Sequence, residues 1–224
     1  MDDGARRPPA RHDLVWLAPS WQELLGSPLP PGAASRLADW FARGRPAVGC
    51  RRDPAGPPGV ALGVSLPGPA PRWRVGFTVA ARAVAGRRAP PSLAEAIPSA
   101  PPPWHGPLAE LDRSAGALGL AVSVYGSLAW QHVTGEAYVD HRSDVDLLLR
   151  PRTRAQLDGA LALLARWDGR DGLRVDGEIV VGDERAVAGR GPASGRPRVL
   201  VKTGTSVALE PREDLLGGLG AEAA

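Results

Sequence analysis

Two aspartates separated by one valine are the residues of this chain best suited to catalysis. Asp144 and Asp146 open an apolar segment, Val145–Leu149, that has the composition of a buried β-strand. Because side chains alternate across a strand, both carboxylates project from the same face, ~6–7 Å apart. Two carboxylates this close repel each other unless a cation lies between them. Oxygen ligands of this kind favour Mg²⁺, which usually binds one or two carboxylates together with substrate phosphates.

A glycine–serine pair precedes these acids. Sixteen residues separate the pair, Gly126 and Ser127, from Asp144. Residues 120–125 predict a strand running into the pair, and residues 128–133 predict a helix after it. Backbone N–H groups and a hydroxyl at a helix N-terminus bind phosphate, and glycine lets the ligand approach closely. The sequence therefore predicts a phosphate site beside a magnesium site.

A third carboxylate is expected from the strand-like segment 173–181, which contains Asp176 and Glu178 on one face. We favour Glu178, because the apolar residues after it give the more secure strand, and Asp176 is the alternative. Both acids also fit an ordinary turn. Lys202, the single lysine of the chain, ends a further strand-like segment and is a candidate phosphate contact, although an exposed strand-end lysine fits equally well.

The central segment as a whole, VSVYGSLAWQHVTGEAYVDHRSDVDLLL, resembles the signature of the polymerase-β-like nucleotidyltransferases. In that superfamily the Gly-Ser element holds a triphosphate and the paired acids hold two metal ions. One family within that superfamily contains segments similar to three others of this chain. These are RHDLVWL near the start, DGEIV, and VLVKT before ALEPRE. This family is the malonate decarboxylase holo-acyl-carrier-protein synthases, also called phosphoribosyl-dephospho-CoA transferases. The resemblance covers residues 12–212.

The resemblance implies a donor, 2'-(5''-triphosphoribosyl)-3'-dephospho-CoA, and an acceptor, a serine on the acyl-carrier subunit of malonate decarboxylase. A phosphodiester forms and pyrophosphate leaves. Carried over to this chain, Asp144 and Asp146 position Mg²⁺ on the α-phosphate and the leaving group. Asp146 and the third acid hold the metal ion that activates the serine hydroxyl. Gly126 and Ser127 bind the departing pyrophosphate.

The elements around these residues alternate between strand and helix, which predicts a mixed α/β or α+β fold. Residues 1–90 predict a small basic α+β domain that docks a substrate or carrier. Residues 91–107 predict a linker, because proline lacks a backbone donor and fixes φ. Residues 108–216 predict the nucleotidyltransferase domain, beginning with a helix over 108–118, and residues 217–224 predict a disordered tail.

The front of the chain is its basic part. Residues 1–100 hold 13 arginines and seven acidic residues, whereas the remainder holds 14 basic and 17 acidic residues. The excess of positive charge in residues 1–100 suits an acidic partner such as a carrier protein. Arg72 and Arg74, on one strand face, are candidate contacts for it. An arginine-rich solvated surface explains the same charge balance.

Composition narrows the class of protein. The 28 glycines and 24 prolines have no Gly-X-Y period, which excludes collagen. No apolar run reaches 18 residues, so we expect no membrane span, and the N-terminus lacks the apolar stretch of a signal peptide. Cys50 alone forms no internal disulfide. No aromatic-interleaved basic groove suits a nucleic-acid strand. We therefore expect a cytoplasmic protein.

Two alternatives stay open. The first is a nucleotidyltransferase that acts on another protein or on a small molecule, because the same site fits either acceptor. The second is a non-catalytic nucleotide-binding or docking module with a degenerate site. Asp144, Asp146 and Ser127 argue against the module, because a protein without turnover has no need of mutually repelling acids.

Overall fold

The computed structural model of the chain consists of two compact units, Met1–Pro90 with Gly204–Ser206 and Pro91–Thr203 with Val207–Ala224. Each unit contains a β-sheet, as expected for the predicted mixed fold. Among the residues that the structure describes, no helix is long and apolar enough to cross a membrane. The described residues are 8–68, 73–140, 142–167, 169, 172–182, 185–189, 197–217 and 219.

The first unit combines five strands with a helix. These elements are β1 (Leu14–Leu17), α1 (Ala33–Ala42), β2 (Ala47–Gly49), β3 (Val60–Ser65), β4 (Arg74–Val79) and β5 (Val84–Arg88). The sheet is antiparallel throughout, in the order β4-β3-β2-β1-β5. In its core the ring centroid of Trp21 lies 5.0 Å from that of Phe41 on α1 and 6.0 Å from that of Phe77 on β4. This aromatic cluster gives the unit a hydrophobic core of its own.

The second unit contains a six-stranded sheet in the order β11-β10-β9-β8-β7-β6. Its strands are β6 (Val122–Tyr125), β7 (Val145–Leu149), β8 (Val175–Val181), β9 (Arg185–Ala188), β10 (Arg198–Lys202) and β11 (Val207–Pro211). Strands β7 and β8 run parallel, and the other neighbouring strands run antiparallel. Its helices are α2 (Leu93–Ala96), α3 (Pro102–Ala117), α4 (Gly126–Thr134), α5 (Arg154–Trp167) and α6 (Arg212–Leu216).

The two faces of this second sheet differ in composition. The core face packs its aliphatic side chains into one hydrophobic cluster with α3, α4 and α5; it carries Val122, Val124, Val145, Leu147, Leu149, Val175, Ile179, Val181, Val187, Val199 and Val201. The alternate residues project from the opposite side, because side chains alternate along a strand. This second face carries Tyr125, Asp146, Leu148, Asp176, Glu178, Val180, Ala186 and Lys202. Asp146, Asp176, Glu178 and Lys202 therefore share one side of the sheet.

Residues 91–107, expected to form a linker, fold as part of the second unit. Ser92 and Glu95 make reciprocal side-chain-to-backbone hydrogen bonds, the capping box that starts α2. Leu93 of α2 is fully buried in the core of the second unit. Helix α3 then begins at Pro102 instead of residue 108. Pro102 and Pro103 lie in its first turn, where a missing N–H has no intrahelical acceptor, and Pro107 lies inside the helix. The density of proline in this segment was the misleading signal.

Thr153 caps the start of helix α5, because its hydroxyl accepts a hydrogen bond from the Gln156 N–H at 3.2 Å. The predicted disordered tail, 217–224, lies outside the described residues except for Gly217 and Leu219.

Candidate active site

Gly126 begins α4 at a place where only glycine fits. Tyr125, the last residue of β6, pairs with Asp146 of β7, so the chain turns beside this aspartate. Gly126 has a φ of 63°, a left-handed conformation that glycine adopts at little cost. A Cβ atom at this position would overlap the carboxylate of Asp146 and lie 2.8 Å from its Cγ. The backbone at the start of α4 is therefore in close contact with a carboxylate.

Helix α4 places the predicted phosphate ligands at its first turn. Gly126 and Ser127 are the first two helical residues, and Ser127 is half-buried. The first N–H groups of a helix have no acceptor within the helix, and they carry the positive end of its dipole. An anion bound there would lie beside the carboxylate of Asp146. Because two adjacent negative groups repel, such an anion requires a cation between it and Asp146.

Asp176 is the carboxylate that the sheet brings next to Asp146. The two residues are directly paired in the parallel register of β7 and β8, so both side chains project from the second face. Neighbouring strands are ~4.8 Å apart, which makes these the closest positions that two strands offer. Asp176 is exposed and Asp146 is half-buried. The pair therefore forms an acidic position beside the start of α4.

Asp144 has a different environment from Asp146, although the two are equivalent in the sequence pattern. Its carboxylate lies 2.7 Å from Nε of Arg174, and both side chains are about half exposed, at 48% and 58%. Arg174 also donates to the backbone carbonyl of Arg142. Both ion-pair partners precede their strands, and the Val145 N–H donates to the Arg174 carbonyl at 2.8 Å. Asp144 is thus joined to a cation at the rim of the site.

Glu178, the favoured third acid, lies two residues beyond Asp176 on β8, at the next position of the same face. It is opposite Leu148 in the β7–β8 register, and its side chain is 4% exposed. Its carboxylate lies 3.5 Å from Nζ of Lys202 on β10. A buried carboxylate is costly unless it is paired, and this lysine supplies the compensating charge. The sequence predicted both residues as separate ligands, whereas the structure joins them to each other.

The arrangement of the acidic side chains determines how a metal ion could bind. Over the described ranges, no group of three or more His, Cys, Asp or Glu side chains is arranged to hold an ion. A preformed cage of Asp144, Asp146 and Glu178 is therefore not the arrangement seen. Mg²⁺ rarely uses an all-protein cage, and one or two carboxylates plus substrate phosphates suffice. Asp146 and Asp176, on one face beside a helix N-terminus, fit that mode of binding.

Gln131, which the sequence analysis did not single out, holds the loop that leads to the acids. Its side-chain oxygen accepts hydrogen bonds from the N–H groups of Tyr138 and Val139, both at 2.9 Å. Its side-chain nitrogen donates to the carbonyl of Ser99. Trp130 stacks on Tyr138 with ring centroids 6.2 Å apart. In the sequence Gln131 lies between Trp130 and His132, and this local pattern does not reveal a partner seven residues away.

Of the two candidate docking arginines in the first unit, the structure describes one. Arg74 is exposed on β4, which is an edge strand of the first sheet, whereas Arg72 lies outside the described residues. The docking role assigned to these two arginines stays a prediction.

The second unit places the opposed carboxylates Asp146 and Asp176 beside a glycine-started helix, an arrangement that suits an enzyme acting on a phosphorylated ligand. Two family models match the chain. The phosphoribosyl-dephospho-CoA transferase MdcG N-terminal domain matches residues 10–90, and the corresponding C-terminal domain matches residues 92–213. These limits agree with the division between the two units at Pro90.

Curated relatives cover nearly the whole chain. A phosphoribosyl-dephospho-CoA transferase of Xanthomonas campestris pv. campestris (strain 8004) is 42% identical over 211 residues, which are 92% of this chain and 95% of the relative. The enzyme of that name from Bradyrhizobium diazoefficiens is 38% identical over 213 residues, 95% and 94% of the two chains. The one from Pseudomonas aeruginosa is 34% identical over 201 residues, 88% and 90%. No solved structure matches significantly.

The chain therefore belongs to the phosphoribosyl-dephospho-CoA transferase family, and it is a transferase. The family resemblance predicted from the sequence motifs is confirmed.

Proposed function

We propose that this chain transfers the 2'-(5''-phosphoribosyl)-3'-dephospho-CoA group from its triphosphate precursor to a serine of the acyl-carrier subunit of malonate decarboxylase. Pyrophosphate is the leaving group. The observation that carries the proposal is the position of Asp146, opposed to Asp176 and in contact with the start of α4. Membership of the family supports the identity of the transferred group, and the geometry of the site supports the chemistry of the transfer.

The transfer needs one bond to form and one to break. The serine oxygen attacks the α-phosphorus, the bond from this phosphorus to the bridging oxygen breaks, and the serine proton is lost. The products are a phosphodiester on the carrier protein and pyrophosphate. The N–H groups at the first turn of α4 and the hydroxyl of Ser127 would bind the departing pyrophosphate, because negative charge accumulates there as the bond breaks.

The paired carboxylates would hold the metal ion. Asp146 and Asp176 would hold Mg²⁺ together with phosphate oxygens of the donor. When bound, this ion would stabilise the developing negative charge and lower the pKa of the attacking hydroxyl. Asp144, paired with Arg174 at 2.7 Å, would join the metal site only by leaving that ion pair.

We propose Asp176, the alternative acid of the sequence analysis, as the third carboxylate in place of Glu178. Asp176 is paired with Asp146 across the strands, whereas Glu178 is buried and its carboxylate lies beside Lys202. Lys202 accordingly neutralises Glu178, and a phosphate contact by this lysine would require the pair to open.

We further propose that the second unit has the polymerase-β-like nucleotidyltransferase fold. Support comes from the order of its central elements: β6, the glycine-started α4, then the acid-bearing β7, with a further acid on the neighbouring β8.

Intact-mass spectrometry of the apo carrier subunit tests the proposed reaction. The carrier is incubated with this protein, Mg²⁺ and triphosphoribosyl-dephospho-CoA, and pyrophosphate release is followed in parallel. We expect the carrier mass to rise by the donor minus pyrophosphate, and we expect EDTA to abolish the rise. A serine-to-alanine carrier is the control for the acceptor. An unmodified carrier with a folded enzyme would contradict the proposal, and a panel of nucleoside triphosphates would then test other acceptors.

A further inference from the structure

The hairpin of β10 and β11 concentrates exposed apolar side chains. Leu200, Val207 and Leu209 are 49%, 43% and 57% exposed. We call these three residues the hairpin patch. Within the described part of the chain, Leu118 is the other large apolar side chain with comparable exposure, at 40%. Scattered apolar residues are ordinary on a protein surface, but several exposed side chains on one short hairpin indicate an interaction surface.

The strand register places the hairpin patch on the second face of the sheet. Leu200 pairs with Leu209, and Lys202 pairs with Val207, so these four side chains project from the same side of the hairpin. Lys202 also pairs with Ala186, which belongs to the second face. The hairpin patch is therefore on the side of the sheet that carries the carboxylates.

The distance between the patch and the carboxylates fits a protein acceptor. Leu200 and Leu209 are level with Glu178 in the strand register, two residues or ~6.7 Å along β8 from Asp176. With two strand spacings of ~4.8 Å to β10 and a third to β11, Leu200 and Leu209 lie about 12 and 16 Å from Asp176. A standard interface buries about 800 Å² of each partner, equivalent to a disc of about 16 Å radius. A protein whose serine reaches Asp176 would cover the patch, whereas a small-molecule acceptor would not.

The charge around the patch indicates the chemistry of its partner. Arg198 and Lys202 lie on either side of Leu200 along β10, on the same face. Among the described residues of β10 and β11, the only acidic residue is Glu210, which pairs with Val199 of the core face. Because Lys202 is paired with Glu178, Arg198 supplies the positive charge beside this apolar centre. An apolar centre with a basic residue beside it is complementary to apolar side chains surrounded by carboxylates.

We propose that the hairpin patch is the docking surface for the protein that carries the acceptor serine. The partner segment presents an apolar side chain surrounded by Asp or Glu residues, and it contacts Leu200, Val207 and Leu209 while Arg198 faces the surrounding carboxylates. This inference rests on the proposed function, because it requires a protein acceptor.

The test compares three single substitutions at exposed leucines. Leu209→Asp places a negative charge in the patch, Leu209→Arg places a positive charge at the same position, and Leu118→Asp is the matched control away from the hairpin. For each, the rate of carrier modification is measured by intact mass at increasing carrier concentration, and the KM for the donor is measured at saturating carrier.

For Leu209→Asp we expect the KM for the carrier to rise about tenfold or more, the size of a hot-spot loss, with the KM for the donor unchanged. Leu209→Arg should raise it less, because the partner is acidic, and Leu118→Asp should leave it unchanged. Leu200→Ser provides a second variant with the same expected direction. An unchanged donor KM shows that the donor site is intact, and a melting temperature close to that of the wild-type protein shows that each variant is folded.

The outcomes separate this inference from the proposed function. If wild-type protein modifies the carrier and Leu209→Asp modifies it with the same carrier KM, the docking surface is overturned while the proposed function stands. If Leu209→Asp instead dissociates an oligomer of this chain without changing the carrier KM, the patch binds a second copy, and the inference is again overturned. If wild-type protein fails to modify the carrier, the proposed function itself fails.

Discussion

The two faces of the second sheet are formed by the same strands, yet they have opposite roles. On β7, Val145 and Leu147 are fully buried against the helices, whereas Asp146 between them projects to the other side, towards the start of α4. On β8, Ile179 is buried on the core face, and Asp176 is exposed on the second face. Adjacent residues of one strand thus face the hydrophobic core and the candidate site in turn.

Substitutions of adjacent residues on one strand should therefore have separable effects on stability and on the transfer rate. A residue of the core face contributes buried apolar area, which stabilises the fold. A charged residue of the second face such as Asp146 acts at the site in our proposal, so we expect its loss to change the reaction more than the free energy of unfolding.

The largest expected effect comes from substituting two adjacent residues of β7, one at a time. Asp146→Asn should lower the rate of carrier modification by about 10²–10³-fold, because one electrostatic contact to the transition state is lost. Its melting temperature should change little. Leu147→Ala should instead lower the free energy of unfolding by about 2–5 kcal/mol through a core cavity, while the folded fraction keeps its rate. Denaturation by urea and intact-mass kinetics measure the two quantities. Equal losses of rate for both variants would contradict the separation of faces.

Gly126→Ala should have the next largest effect, about 10²-fold on the transfer rate. The added Cβ would push the Asp146 carboxylate away, and alanine at a φ of 63° is strained by about 1–2 kcal/mol. Gly135 is the matched control, because it has a φ of 70° and no atom of the described residues lies within 4 Å of where its Cβ would be. Gly135→Ala therefore introduces the backbone strain without a clash with a neighbouring side chain. Similar rates for the two variants would show that contact with Asp146 is not important.

Gln131 offers a smaller and graded test. Gln131→Leu removes all three of its hydrogen bonds and should slow transfer about tenfold, because two N–H groups of the loop before the acids lose their acceptor. Gln131→Glu keeps the acceptor for Tyr138 and Val139 and should recover part of that rate. The KM for the donor and kcat are measured separately. A loss confined to thermal stability in both variants would mean that Gln131 only supports the fold.

The parts of the fold that the sequence predicted are those encoded locally. The apolar strands around Gly126 and Asp146 and the cap of α5 at Thr153 follow from residue type and short-range spacing. The predicted start of α3 was wrong because the first turn of a helix accepts proline, and because α3 also contains Pro107, a residue type that interrupts most helices. The capping box at Ser92 was the local signal that α2 begins within the segment expected to form a linker.

The candidate site was predicted less completely, because its pairings depend on strands that are distant in the sequence. Asp144 and Asp146 are equivalent in the motif, and only the neighbouring Arg174 and Gly126 distinguish them. Whether Asp176 or Glu178 lies opposite Asp146 depends on the β7–β8 register. A shift of one residue would exchange the faces, and no local pattern determines the register between non-adjacent segments.

The most direct test of the central claim, that the paired Asp146 and Asp176 carry out the transfer, is a single-turnover measurement with Asp176→Asn. Carrier mass is followed over time with enzyme in excess, and the melting temperature of the variant is recorded alongside. We predict a melting temperature close to that of the wild-type protein and a transfer rate at least about 10²-fold lower. A wild-type rate of transfer by the folded Asp176→Asn variant would contradict the claim and return Glu178 to consideration as the third acid.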